Sequence, residues 1–284
     1  MNESVPLQHF ILTRFNLLLW NRDKEGNPVR TREWLEHRFK LFEQYCLPSV
    51  ANQTCKNFEW IVLFDSKTPD AFKEKIMELQ ARCLQLRPVF VEPENGRYFA
   101  EIFRSEVSRR MNAQRVITTY LDNDDALNIH FVEDIQKRAS ALRDGTFINY
   151  TEGCQFYTDF KYLLKVHYPR NHFMSVVENG KTTMVKTIYG YGSHYYIDKI
   201  KNVRIEKIDC APMWCEVIHE KNMGNDAYFL LGTKMINDGG FLRSEFAIDE
   251  TVNCSCALFL FRFIPRYIKT FIRRVGYFFW GRHW

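Results

Sequence analysis

Residues 116–128 read VITTYLDNDDALN. A β-branched, apolar run stops at Asp122, Asn123, Asp124 and Asp125. Carboxylates so close together repel one another, and burying them unpaired is costly. Two arrangements avoid that cost. The four residues form a solvated turn and helix cap, as Asp and Asn commonly do. Alternatively they surround a divalent cation, which turns their closeness into an advantage. Hard cations such as Mg²⁺ or Mn²⁺ take oxygen ligands and complete their shells with water and diphosphate oxygens.

The elements around this cluster decide what it can reach. HFILTRFNLLL (9–19) has the character of an apolar strand. TREWLEHRFKLFEQYCLPSV (31–50) carries a helical stripe, with Thr31 suited to its start and Pro48 to its end. FEWIVLFD (58–65) is a second strand, ending in Asp65, and TPDAFKEKIMELQARCLQL (68–86) a second helix with Pro69 near its first turn. A strand over 87–93, a helix over 97–111, a strand over 115–122, a helix over 130–143 and TFINY (146–150) follow. This alternation predicts an α/β fold with a mostly parallel sheet and helices on both faces. Ligands of such sheets bind at the carboxyl ends of the strands. Thr13, Arg14, Asp65 and residues 122–125 fall there. Beyond 150 the pattern loosens: 153–168 has hairpin character, 172–197 is rich in β-formers and glycine, and 211–226 has no clean period.

Composition narrows the class. The N-terminus lacks a basic segment followed by a long apolar run, and no window reaches the length of a spanning helix. Eight cysteines form no C-x-x-C pair and no zinc-like spacing, as expected of free thiols in a reducing compartment. Both features point to the cytoplasm. Net charge is +5, but Arg262, Arg266, Lys269, Arg273, Arg274 and Arg282 lie in residues 257–284, which hold no Asp or Glu. Removing those six from the 39 basic residues leaves 33 against 34 acidic. The basic character therefore belongs to the tail, and a nucleic-acid-binding role for the whole chain has little electrostatic basis.

That tail reads ALFLFRFIPRYIKTFIRRVGYFFWGRHW. At 100° per residue Phe261, Ile264, Ile268, Ile272, Val275 and Phe279 share one side, and Arg262, Arg266, Lys269 and Arg273 cluster opposite. Pro265 suits a first turn, so the helix is expected to begin there. The pattern fits an in-plane helix on an anionic membrane, on the inner face of the plasma membrane. It also fits a terminal helix docked on the domain's own core.

TTYLDNDDAL resembles the strand and Asp-X-Asp signature of glycosyltransferases of the GT-A fold. More narrowly, the chain is similar to the bacterial family called putative rhamnosyltransferases. HFILTRFN, RFKLFEQYCLPSVANQTCKNFEWIVLFD, TTYLDNDDAL, HFMSVVE and MWCEVIHEKNMGN carry the likeness, in that order, over roughly residues 9–226. The resemblance implies a GT-A-like domain over 1–256, with a nucleotide-sugar-binding half (1–150) and an acceptor half (151–256). It further implies a nucleoside-diphosphate sugar donor, a Mn²⁺ or Mg²⁺ cofactor, and transfer to a hydroxyl of a glycan or lipid-linked glycan in surface-polysaccharide synthesis.

By that match Asp122 faces the nucleoside, and Asp124 or Asp125 contacts the metal. Thr13 and Arg14 line the nucleotide pocket, and Arg14 offers a planar fork for phosphate or a base edge. Asp65 resembles the acid that accepts a hydrogen bond from a pyrimidine; a turn cap before SKTPD explains it too. His219 completes the metal shell or touches the diphosphate, or is structural. Asn222 and Asn225 line the same edge. Trp214 stacks on an acceptor sugar or packs in the core. Glu178 matches a recurrent acidic position and is the candidate general base, with Glu152 and Asp198 as rivals.

Two other classes compete. A nucleotidyltransferase would want a glycine-rich phosphate loop after the first strand, and LTRFNLLLW has none. A non-catalytic, membrane-associated binding protein would use DNDD only as a turn.

Overall fold

Buried alternation along β1 (Leu7–Arg14) sets the layering of the fold. Phe10 and Leu12 face one side of the sheet and Ile11 the other, so apolar residues must cover both faces. The computed structural model describes residues 6–22, 26–219 and 234–257, with 260, 261, 264, 268, 271 and 272.

Thr31 accepts a hydrogen bond from the Trp34 N–H and caps α1 (Arg32–Leu41). The helix does not end at Pro48 as expected. A π-turn over Phe42–Cys46 leads into α2 (Leu47–Ala51), and Pro48 sits in its first turn, where its missing N–H costs little. There follow β2 (Glu59–Asp65), α3 (Asp70–Arg82), β3 (Leu86–Val91), a 3₁₀ turn (Pro93–Tyr98), α4 (Phe99–Arg110) and β4 (Arg115–Tyr120). β5 (Ala126–Leu127), α5 (Phe131–Ala139) and β6 (Thr146–Tyr150) complete the first half.

The 153–168 stretch is the expected hairpin, β7 (Glu152–Tyr157) with β8 (Tyr162–His167). β9 (Ser175–Asn179) is followed by 3₁₀ turns over Ile188–Tyr191 and His194–Lys199. β10 (Arg204–Ile208), β11 (Trp214–Ile218), β12 (Lys234–Met235) and α6 (Phe241–Phe246) follow.

A seven-stranded sheet runs β10-β6-β9-β4-β1-β2-β3. It is mixed but mostly parallel: β9 alone runs against its neighbours, pairing antiparallel with both β4 and β6. One face packs on α1, α2, α3 and α5 through Phe39, Val50, Ile76 and Ile135. The other packs on α4 and the two late 3₁₀ turns through Phe103, Val107, Ile188 and Tyr189. A second sheet, β12-β8-β7-β11-β5, has α6 on one side through Leu242 and Phe246. Residues 122–125 are thus the joint between the sheets, leaving β4 of the first and entering β5 of the second.

Trp214 is buried and packs flat against β7, where a Cβ on Gly153 would lie 2.1 Å from its ring. It stacks on Phe173 at 4.8 Å and donates to the Tyr150 carbonyl, so it is a core residue. At the chain end Cys256, Ala257, Leu260, Phe261 and Ile264 are helical, ahead of the expected start, and Pro265 itself lies outside the described residues. Val275, Phe279 and the basic residues of the tail, like Asn222 and Asn225, lie outside the described residues. Among the described residues no helix is long and apolar enough to cross a membrane.

Candidate functional site

The DNDD joint is pinned from three directions. Asn123 donates its side-chain amide to the Arg14 and Phe15 carbonyls at 2.7 and 3.1 Å, tying the joint to the end of β1. Arg38 of α1 donates to Asn123 Oδ1 and, at 3.1 Å, to Asp124 Oδ2. On the side of the second sheet, the Val217 N–H donates to Asp125 Oδ1 at 2.9 Å.

These ties give the three aspartates different environments. Asp124 lies between Arg38 and His219, whose Nε2 is 3.0 Å from its Oδ2. Burial alone would raise its carboxyl, but Arg38 and His219 outweigh that and hold it well below the usual range. Asp125 is fully buried, and burial lifts its carboxyl to about 7, helped by the charges of Asp124 and Glu216 and opposed by His172. His172 Nε2 sits 3.0 Å from Asp125 Oδ2. Burial would lower that imidazole, yet the hydrogen bond and charge of Asp125 carry it up to about 9. Asp122 takes the Tyr120 hydroxyl at 2.9 Å and lies 3.6 Å from Arg14 Nη2.

One ligand atom each from Asp122, Asp125 and His172 can lie within 4.8 Å of the others. Two carboxylates and an imidazole form a donor set that suits Mn²⁺ or another borderline-hard divalent cation. Asp122, Asp124, Asp125 and Glu216 supply four carboxylates against the guanidiniums of Arg14 and Arg38 and the imidazoles of His172 and His219; a dication would take the place of a proton on the His172 side, so the residues present fit it. Asp124, already bonded to Arg38 and His219, is not in that trio, and neither is His219.

Beside the trio opens a cavity of about 350 Å³. Arg14 enters it, stacked 4.7 Å from the Phe99 ring centroid and 5.2 Å from that of Tyr189, with Nη2 donating to Tyr120 Oη at 2.9 Å. His172 and His194 line it as well. A guanidinium among aromatic rings suits a phosphorylated, flat ligand.

The remaining sequence candidates lie elsewhere. Thr13 is fully buried, and its hydroxyl accepts from Trp60 Nε1 at 2.9 Å, so its side chain does not line the cavity. The Asp65 side chain pairs with Arg30 at 2.5 Å and accepts the Lys67 N–H at 2.8 Å, which is the turn-cap geometry. Glu178 stands in register with Val116, at the start of β4, whereas the aspartates follow its end. It accepts the Lys186 and Thr187 N–H groups at 2.8 and 2.9 Å, which explains its burial without catalysis. Glu152 is engaged by His167 and Lys165, and Asp198 by Arg170.

Sequence reasoning did not single out His172, Arg38 or Glu216. Glu216 lies on β11, mostly buried, and takes a 2.6 Å hydrogen bond from Gln155. The charges of His172, Asp124 and Asp122 all act on it, and burial first of all raises its carboxyl. A lone acid inside the apolar run WCEVI was the available signal.

A family model described as "Putative rhamnosyl transferase" matches residues 8–228. Among curated proteins, none matches the chain. Among solved structures, S. aureus TarS 1-349 aligns with a TM-score of 0.43 at 14% identity, over 74% of this chain and 60% of that one. The same fragment in complex with UDP gives 0.42 at 12% identity, over 74% and 60%. S. aureus TarS itself gives 0.39 at 11% identity, over 75% of this chain and 37% of that chain.

Proposed function

Because the chain belongs to the family described as "Putative rhamnosyl transferase", a glycosyltransferase family, we propose a metal-dependent transfer of a sugar, with rhamnose the first candidate. The donor is a nucleoside-diphosphate sugar, and the acceptor is a hydroxyl of a glycan or lipid-linked glycan. The observation that carries this reading is the trio Asp122, Asp125 and His172 beside the cavity that Arg14 enters. Both halves of the chain supply the cavity, with Arg14, Phe99 and Tyr120 from 1–150 and His172, Ile188, Tyr189 and His194 from 151–256, so the proposed donor site is not confined to the first half.

Asp122, Asp125 and His172 would hold a divalent cation, which when bound neutralises charge on a departing diphosphate. Arg14 binds and orients the donor, its fork held flat by Phe99 and Tyr189. Tyr120 positions Asp122 by donating to it. Arg38 and His219 fix Asp124, and through it the joint. Glu216 is the carboxylate we assign to receive the acceptor hydroxyl's proton; it is raised by burial and carried by the second sheet.

Calorimetric titration with uridine, thymidine, guanosine and adenosine diphosphates, with and without Mn²⁺, tests the proposal. One base binding tightly only with Mn²⁺ supports it. A whole panel without metal-dependent binding sinks it.

A further inference from the structure

α6 and the chain end behave oppositely. α6 buries Leu242 and Phe246 against the second sheet. Among the described residues that follow nothing comparable is buried: Leu260, Phe261, Ile264, Ile268, Phe271 and Ile272 are between 49% and 78% exposed. At 100° per residue these six fall within an arc of roughly 120°, the width of an amphipathic helix's apolar face. A helix docked on its own domain would bury such a face. Here it stands open in the described residues, and large exposed apolar faces mark interaction surfaces.

The sequence around that face says what covers it. Residues 257–284 hold six Lys or Arg and no acid, while the rest of the chain is nearly neutral. By the same period Arg262, Arg266, Lys269 and Arg273 fall on the arc opposite the apolar six. Ten of the 28 residues are Phe, Tyr or Trp, including Trp280 and Trp284. An apolar stripe, an opposite side whose charges are all cationic, and amphipathic rings match the depth profile of an anionic bilayer surface: acyl chains below, headgroup charge beside, water above.

We infer that residues 257–284 dock the protein in the plane of an anionic lipid surface. The inference stands apart from the assignment of the sugar donor, since no residue of the candidate site takes part.

Sedimentation of the full chain with vesicles tests it. Vesicles of phosphatidylcholine alone are compared with vesicles containing phosphatidylglycerol. The protein is expected to pellet only with the second, and less as salt screens the charges. Phe261→Ser with Phe271→Ser, and separately Arg266→Ser with Lys269→Ser and Arg273→Ser, are each expected to weaken binding roughly tenfold or more. Their melting temperatures check the fold. Equal binding to both vesicle types, binding to neither, or full binding by both variants overturns the inference. So does a dimer that the phenylalanine variant dissociates, with no vesicle binding by the parent chain.

Discussion

His172 Nε2 lies 3.0 Å from Asp125 Oδ2, while the neighbouring Asp124 is turned to Arg38 and His219. Adjacent carboxylates thus have separate tasks. Asp125 and His172 are available to a cation, and Asp124 holds the joint. Asp125→Asn is expected to abolish Mn²⁺-dependent tightening of nucleoside diphosphate binding with little loss of melting temperature. Asp124→Asn leaves a mostly buried Arg38 without its anion and should cost on the order of 3 kcal/mol of stability. Calorimetry and thermal melting on both variants separate the two effects. Equal metal dependence in Asp125→Asn and the parent would remove Asp125 from the ligand set.

Arg14 is held by Tyr120, Asp122, Phe99 and Tyr189 before any ligand arrives, so little ordering remains to be done on binding. Arg14→Met should weaken nucleoside diphosphate binding by about 1.5–3 kcal/mol, roughly tenfold to a hundredfold. Arg14→Lys keeps the charge but loses the stacked fork, and should recover only part of the loss. A lysine variant that binds like the parent would mean that the fork is irrelevant.

The first half of the fold was legible because its strands and helices alternate with clean periods. Arg14, Asp65 and the aspartates were correctly put at strand ends, since β1, β2 and β4 run parallel. What each side chain meets there was not legible. Thr13 turns inward because β1 is covered on both faces, and one residue of alternation decides which side of the sheet it serves. Asp65 is captured by Arg30, 35 residues earlier on an irregular loop with no period to betray it. His172 and Glu216 reach the cluster from 47 and 91 residues beyond Asp125, through a sheet whose order does not follow the chain. Glu178 was singled out only by the family resemblance. No residue pattern in SVVENG announces that this acid, near the end of β9, accepts two backbone N–H groups.

His9 offers a pH prediction remote from the metal trio. It is fully buried, its Nε2 shares a 2.7 Å hydrogen bond with Thr119, and burial pushes the imidazole down to about 3. The unfolded chain binds this proton near pH 6.5, before the folded one does. The stabilisation is therefore complete above about 6.5 and is lost progressively as pH falls toward 3. Urea unfolding at several pH values should show stability dropping below pH 6.5 with a slope that His9→Gln reduces. Parallel pH profiles for the two proteins would place His9 in contact with water.

Glu216 and Glu178 are both buried acids with raised carboxyls, and only their surroundings distinguish them. Glu216 feels the charges of His172, Asp122 and Asp124 from the second sheet. Glu178 feels Lys186, Thr187 and Tyr191 at the opposite end of β4. Neutralising Glu216 should then remove the group that takes up a proton without touching donor affinity. Glu216→Gln is expected to lower turnover of a nucleotide-sugar roughly 10²–10⁴-fold while the diphosphate still binds with parental affinity. Glu178→Gln should do the reverse, leaving turnover intact and lowering the melting temperature, because an amide offers one acceptor oxygen to two backbone donors. Diphosphate release, measured over a range of pH, reads both variants. The Glu216 assignment fails if its variant turns over as fast as Glu178→Gln.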